Sequence, residues 1–143
     1  ISQQTTLFPG MHELLQTIEQ RGMQWGVVTN KPGWLTDPLL EDLHLDTRAA
    51  CIVSGDTLRE RKPHPAQLLH ACKLTNTLPK HCLYVGDAQR DIDAGKNAGM
   101  YTMVALFGYF TEEDQPHSWH ADHAIQAPAE ILTWIDARQA NGQ

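Results

Sequence analysis

Five short apolar runs punctuate this chain, and between them lie segments whose apolar residues recur at helical spacing. The runs cover residues 25–28, 49–53, 82–85, 101–106 and 121–125. Each is too short for a buried helix and is bounded by turn-forming residues, so each is a candidate strand. The segments between them read as helices. Met11, Leu14, Leu15 and Ile18 share one face, with Gly22 as a stop. Leu35, Leu39, Leu40 and Leu43 follow the next strand, and Pro38 requires that this helix begin close to it. Residues 65–73 would bury Leu68, Leu69 and Cys72. Ile92, Ala94 and Ala98 mark a helix that ends at Gly99, and Ile131, Leu132 and Ile135 mark one behind Pro128. Thr111 and Asp114 form a capping pair for a short helical turn. Helices alternating with strands from end to end predict an α/β fold, a doubly wound parallel sheet with helices on both faces. No repeat, low-complexity stretch or linker divides the chain, so residues 1–143 read as a single domain.

The third strand carries the chemistry. Its apolar run is broken by Gly86, and Asp87 follows as the next helix opens. A carboxylate at the carboxyl end of a buried strand sits where open α/β sheets place ligands. Asp91 lies four residues further on, a spacing that on a helix returns it to the face of Asp87. Two neighbouring carboxylates repel unless positive charge lies between them, and a hard cation such as Mg²⁺ meets that need. The ordinary alternative makes Asp87 an N-cap and Asp91 a solvated first-turn charge.

Two further positions share this geometry. Thr29-Asn30 follows Val27-Val28, where a hydroxyl and backbone N–H groups at a helix start suit a phosphate oxygen, or simply form a turn. Lys62 is followed by Pro63 at the mouth of a helix, where an ammonium could neutralise a phosphoryl group, or simply face solvent. A hydroxyl, a lysine and a carboxylate pair on successive strand ends make a set that anchors a phosphate together with Mg²⁺.

The remaining composition narrows the field. The net charge is −6 and the basic residues are scattered, which argues against a nucleic-acid surface. No apolar run approaches the roughly 20 residues of a membrane span, and no signal peptide is visible. Three cysteines, Cys51, Cys72 and Cys82, cannot all pair and form no Cys-x-x-Cys unit, which fits a reducing cytoplasm. His117, His120 and His123 recur at spacing three; they read as part of a loop into a strand, with a structural metal as the alternative. His64, beside Lys62, faces either the site or solvent.

In order, Val27-Val28-Thr29-Asn30-Lys31-Pro32, Lys62-Pro63-His64-Pro65, Gly86-Asp87-Ala88-Gln89-Arg90-Asp91-Ile92-Asp93-Ala94-Gly95 and Ala98-Gly99-Met100 resemble the haloacid dehalogenase-like (HAD) hydrolases. Within them the likeness is to the phosphoglycolate phosphatase group. Leu106-Phe107-Gly108-Tyr109 is similar to its branch that includes N-acetylmuramic acid 6-phosphate phosphatases. The likeness runs from Leu7 to about Trp134. It implies that Thr29 and the N–H of Asn30 bind the phosphoryl group, and that Lys62 holds it and screens the nucleophile. Asp87 would ligate Mg²⁺ and Asp91 would support the metal shell, while Ser54-Gly55-Asp56 matches a loop near the site.

One departure stands out. The family transfers the phosphoryl group through an Asp-x-Asp-Gly motif on its first strand, and this chain has none; Asp91-Ile92-Asp93 lies inside a helix. In the family that strand sits between those ending at Thr29 and Asp87. The resemblance therefore implies a core truncated at its N-terminus, lacking the first strand and the helical cap. Such a core would be inactive and unstable alone, unless an N-terminal segment or another chain completed the sheet. The leading expectation is a Mg²⁺-dependent phosphomonoesterase acting on a small phosphorylated metabolite, without nucleic acid or membrane partners. A phosphomutase or dehalogenase is the enzymatic rival; a dehalogenase would not need Asp87 and Asp91 for Mg²⁺. A non-catalytic phosphate- or Mg²⁺-binding module is the rival of another class.

Overall fold

A computed structural model describes residues 8–108 and 110–140. Leu7 and Tyr109, which take part in the motif reading, lie outside the described residues. The elements run α1 (Met11–Gln20), β1 (Val27–Val28), α2 (Gly33–Asp42), β2 (Ile52–Val53), α3 (Ala66–Thr75), β3 (Leu83–Gly86), α4 (Gln89–Ala98), β4 (Tyr101–Ala105), β5 (His123–Ile125) and α5 (Ala129–Ala140). Every strand pair is parallel. All five expected strands are present, although β1 and β2 are two residues each and shorter than their apolar runs.

Strand alternation divides the core into two layers. Met103 packs with Leu14, Ile18, Ile125 and Ile131, burying α1 and α5 against one face of β4 and β5. Val104, its neighbour on the strand, packs with Ile92 and Trp119 on the other face, under α4. Leu68 of α3 meets Ala94 and Ala98 of α4 on that second face. Leu40 of α2 joins Leu15 of α1 against Val27 and Ile52. Helices thus cover both faces, as the alternating order predicts.

The sheet is in two pieces. β1 pairs with β2, and β3 pairs with β4 and β4 with β5, but the backbones of β1 and β3 do not pair with one another. The inner edges of the two pieces face across a gap, at the place where the family resemblance puts a further strand.

Three local expectations change. Pro38 lies inside α2, five residues after its start, rather than in the first turn. The carbonyl its missing N–H would have bonded belongs to Trp34, which is 76% exposed, so water can satisfy it. On α3 the buried stripe is Gln67, Leu68, Ala71 and Cys72, and Leu69 is exposed. A polar residue occupies a core position there, and apolar periodicity cannot detect it. Between β4 and β5 the helical turn is a short 3₁₀ segment, Pro116–Trp119. Thr111 and Asp114 form a turn ahead of it, in which the Thr111 N–H donates to the Asp114 carboxylate at 2.8 Å.

Candidate active site

The carboxyl ends of β1 and β3 border a cleft of about 1050 Å³, lined by Thr29, Asn30, Lys62, Asp87 and Asp91 among others. That is the switch point of an open α/β sheet. The volume exceeds what a small phosphate ester needs, and the lining extends to Val28 and Tyr84 on one side and to Glu113, Gln115 and Ser118 on the other.

Asp91 is the best-held of these groups. It stands in the first turn of α4 and is 5% exposed. Its Oδ2 accepts the N–H groups of Asp87 and Ala88, both at 3.1 Å. It therefore caps its own helix from inside, the carboxylate half of a capping box. Its Oδ1 accepts a hydrogen bond from Lys62 Nζ at 2.5 Å, and both side chains are buried. Ala88, not Asp87, is the N-cap residue. The solvated reading of Asp91 is thereby excluded, and the shared-face reading changes too. Asp87 precedes the helix, and the two carboxylates share the cleft because a strand end meets a helix start. The positive charge that such a pair requires comes, for Asp91, from Lys62.

Lys62 ties the two sheet pieces together. Its backbone N–H donates to Asn30 Oδ1 at 3.2 Å and to Gln67 Oε1 at 3.1 Å, on the β1 side. Its ammonium donates to Tyr84 Oη at 2.7 Å and to Asp91, on the β3 side, and to the Val28 carbonyl at 3.4 Å. Tyr84 in turn donates its hydroxyl proton to the Val28 carbonyl at 2.9 Å, spanning the gap. Burial, and then the nearby Asp91 carboxylate, push the Tyr84 phenol well above its usual range, so it stays protonated and donates.

The Thr29 loop is held from below. Gln67, fully buried, donates its amide protons to the Thr29 carbonyl at 3.2 Å and the Ser54 carbonyl at 3.3 Å. Thr29 Oγ1 accepts the Lys31 N–H at 3.1 Å. The Asn30 side chain is engaged with Lys62. Ser54-Gly55-Asp56 acts as a clasp. The Gly55 N–H donates to the Lys31 carbonyl at 2.6 Å, and Asp56 accepts the first N–H of α2, from Gly33, at 2.9 Å. A side chain at Gly55 would put its Cβ 1.9 Å from the Asn30 carbonyl oxygen, so the clasp closes only around glycine.

Three contributors escape motif reading. Tyr84 resembles an ordinary strand residue, Gln67 an ordinary helix residue, and Gly108 belongs to the Leu106–Tyr109 motif without any sign that it lies against Asp87. A Cβ on Gly108 would fall 2.5 Å from that of Asp87, so this glycine gives Asp87 its space. The one available signal was a polar Gln67 beside Leu68 in a helix that opens next to Lys62. Among the histidines, His117 lies in the 3₁₀ segment, His120 has left-handed backbone (φ 62°) and His123 begins β5, exposed. His64 is exposed and accepts the Ala66 N–H at 3.0 Å. Among the described residues no group of three or more His, Cys, Asp or Glu side chains could hold a metal by itself, and no helix is long and apolar enough to cross a membrane.

The chain is similar to known proteins over most of its length. The family model for haloacid dehalogenase-like hydrolases matches residues 1–105. A phosphoglycolate phosphatase of Xanthomonas campestris is 44% identical over 128 residues, covering 90% of this chain and 58% of that protein. An N-acetylmuramic acid 6-phosphate phosphatase of Pseudomonas putida is 42% identical over 131 residues, covering 92% and 59%. The crystal structure of a predicted phosphoglycolate phosphatase from Haemophilus somnus superposes with a TM-score of 0.84 at 32% identity, covering 91% of this chain and 57% of that one. The chain belongs to the haloacid dehalogenase-like hydrolases. It spans less than two thirds of the length of these relatives.

Proposed function

We propose that this chain is the larger part of the core of a Mg²⁺-dependent phosphomonoesterase of the phosphoglycolate phosphatase type, working in the cytoplasm on a small phosphorylated metabolite. The observation that carries the reading is the meeting of Lys62, Asp91, Asp87 and the Thr29 loop at one cleft. The Thr29 hydroxyl and the Asn30 N–H would bind phosphoryl oxygens. Lys62 would reach the same group by giving up its longest bond, the 3.4 Å contact to the Val28 carbonyl. Asp87 would hold Mg²⁺ and Asp91 would orient the metal shell. Asp91, which receives an ammonium and two N–H groups, is suited to that supporting role. Mg²⁺ characteristically takes one or two carboxylates and completes its shell with water and substrate phosphate. When bound, the ion supplies positive charge to the phosphate oxygens.

The nucleophile of the reading is an aspartate on a strand filling the gap between β1 and β3, supplied by a further segment or another chain. The relatives' names support phosphoglycolate or a sugar phosphate such as N-acetylmuramic acid 6-phosphate as substrate.

Phosphate release from an aryl phosphate, with and without Mg²⁺, tests the reading. The 143-residue chain is expected to release none, and a protein in which the gap is filled by an aspartate-bearing strand is expected to release phosphate only with Mg²⁺. Release by the chain alone would mean that its own residues supply a nucleophile. In the completed enzyme, Asp87→Asn is expected to abolish Mg²⁺-dependent turnover with the fold intact. Ordinary turnover in that variant rules out Asp87 as the metal ligand.

A further inference from the structure

At the end of the sheet opposite the cleft, two thiols face each other. Cys72 lies in the last turn of α3 and Cys82 just precedes β3, and their sulfurs are 3.9 Å apart. Both are free thiols. The segment between them is tied by its own hydrogen bonds. The Thr77 N–H donates to the Cys72 carbonyl at 3.0 Å, and the Cys82 N–H donates to the Pro79 carbonyl at 3.0 Å. Asn76, in left-handed backbone (φ 55°), turns the chain out of α3. The Cys82 thiol lies 3.3 Å from the Leu78 carbonyl and 3.4 Å from Thr77 Oγ1. The loop therefore holds the two sulfurs side by side.

A disulfide bond is about 2.05 Å long, so closure requires the sulfurs to approach by roughly 1.9 Å. A lone buried cysteine acts as a small hydrophobe; a facing pair has a second chemistry open to it. Cys51, its sulfur packed against the backbone at Gly26, is near enough to both thiols to interact with them electrostatically, so a bridge through Cys51 is the competitor that the test separates.

We propose that Cys72 and Cys82 are a redox modification site that closes to a reversible disulfide on exposure to hydrogen peroxide. Cys82 reacts first, because it is half-buried while Cys72 is 6% exposed. Burial, and then the neighbouring Cys82, push the Cys72 thiol up to about 11, which keeps it protonated at neutral pH. The Cys82 sulfur attacks the peroxide. An S–O bond forms, the O–O bond breaks, and one water leaves to give a sulfenic acid. The Cys72 thiol then gives up its proton as its sulfur attacks the Cys82 sulfur, which makes this second step the slower one. The S–S bond forms, the S–O bond breaks, and the departing oxygen leaves as a second water with the thiol proton. In sum, two thiols lose two protons and two electrons, and one peroxide is reduced to two waters.

The test uses the full chain, reduced, freed of reductant and treated with hydrogen peroxide. Intact mass is read without reduction, followed by tryptic peptides. Lys73 and Lys80 let trypsin cut between the two cysteines, so the bridge appears as two linked peptides. The expected result is a loss of two hydrogens, a Cys72–Cys82 linked peptide, and its disappearance on treatment with dithiothreitol. Cys51→Ser should retain the bridge and Cys82→Ser should lose it. A bridge through Cys51, dimers alone, or Cys82 sulfinic acid with no linked peptide would each overturn the proposal. The wild-type peptide map decides the matter even where a variant fails to fold.

Discussion

The two sheet pieces are built to different standards. The β3–β4–β5 piece has strands of three to five residues, and Met103, Val104 and Ile125 on it are at most 1% exposed. The β1–β2 piece has two residues per strand, and of its four strand residues only Val53 is buried. Yet each contributes half of the site, the carboxylates from one and the Thr29 loop from the other. Apolar contacts of α1 and α3 reach both pieces, and between the strand ends the tie is polar: Lys62 and Tyr84, with Gln67 holding the Lys62 backbone. A well-packed half can position a charge by itself, while a short half has to be tied to it.

The largest expected effect comes from cutting that tie. Lys62→Met leaves Asp91 buried without its counter-charge, and should cost about 3–5 kcal/mol in urea unfolding. A loss below 1 kcal/mol, on the order of that for an exposed ion pair, would show that Lys62 does not join the halves.

Core truncation compares the pieces directly. Met103→Ala, at a fully buried site, should cost about 2–5 kcal/mol. Val27→Ala, at a half-buried site, should cost about 1 kcal/mol. The reverse order in the same unfolding assay would break the comparison.

Tyr84→Phe sharpens it. The variant removes the hydroxyl that spans the gap from Lys62 to the Val28 carbonyl, and should cost about 1–3 kcal/mol. Its hydrogen exchange should rise at Val27 and Thr29, whose N–H groups bond to Cys51 and Val53, and not in β4.

The smallest effect lies on the exposed rim of the short half. Glu19 accepts two hydrogen bonds from Arg48, at 2.9 and 3.0 Å, and one from Trp25. The Arg48 guanidinium, then the Trp25 N–H, hold the Glu19 carboxyl below its ordinary value. A lowered folded-state value means that this contribution is present above the unfolded value and fades as pH falls through the folded one. Glu19→Gln should therefore be slightly less stable than the parent at neutral pH, and the difference should close in acid. A difference that is unchanged by pH would assign the effect to packing.

Much of this was written in local sequence. Apolar runs bounded by turns set five strands, and helical spacing with Gly22 and Gly99 as stops set the helices between them. Those signals are legible because each depends on residues within a few positions of one another. Asp87 and Asp91 were equally legible as a pair at a strand end. Their relation was not, since it turned on Ala88 being the cap residue and on Asp91 turning inward. Only tertiary structure decided that Lys62, 29 residues away, neutralises Asp91, that Tyr84 reaches Val28 across 56 residues, and that buried Gln67 supports Thr29. Each of these depends on how far a helix is rotated about its axis and which strands lie side by side. A hydrophobic pattern marks the buried face of an element, but it does not specify which distant polar group that face will meet.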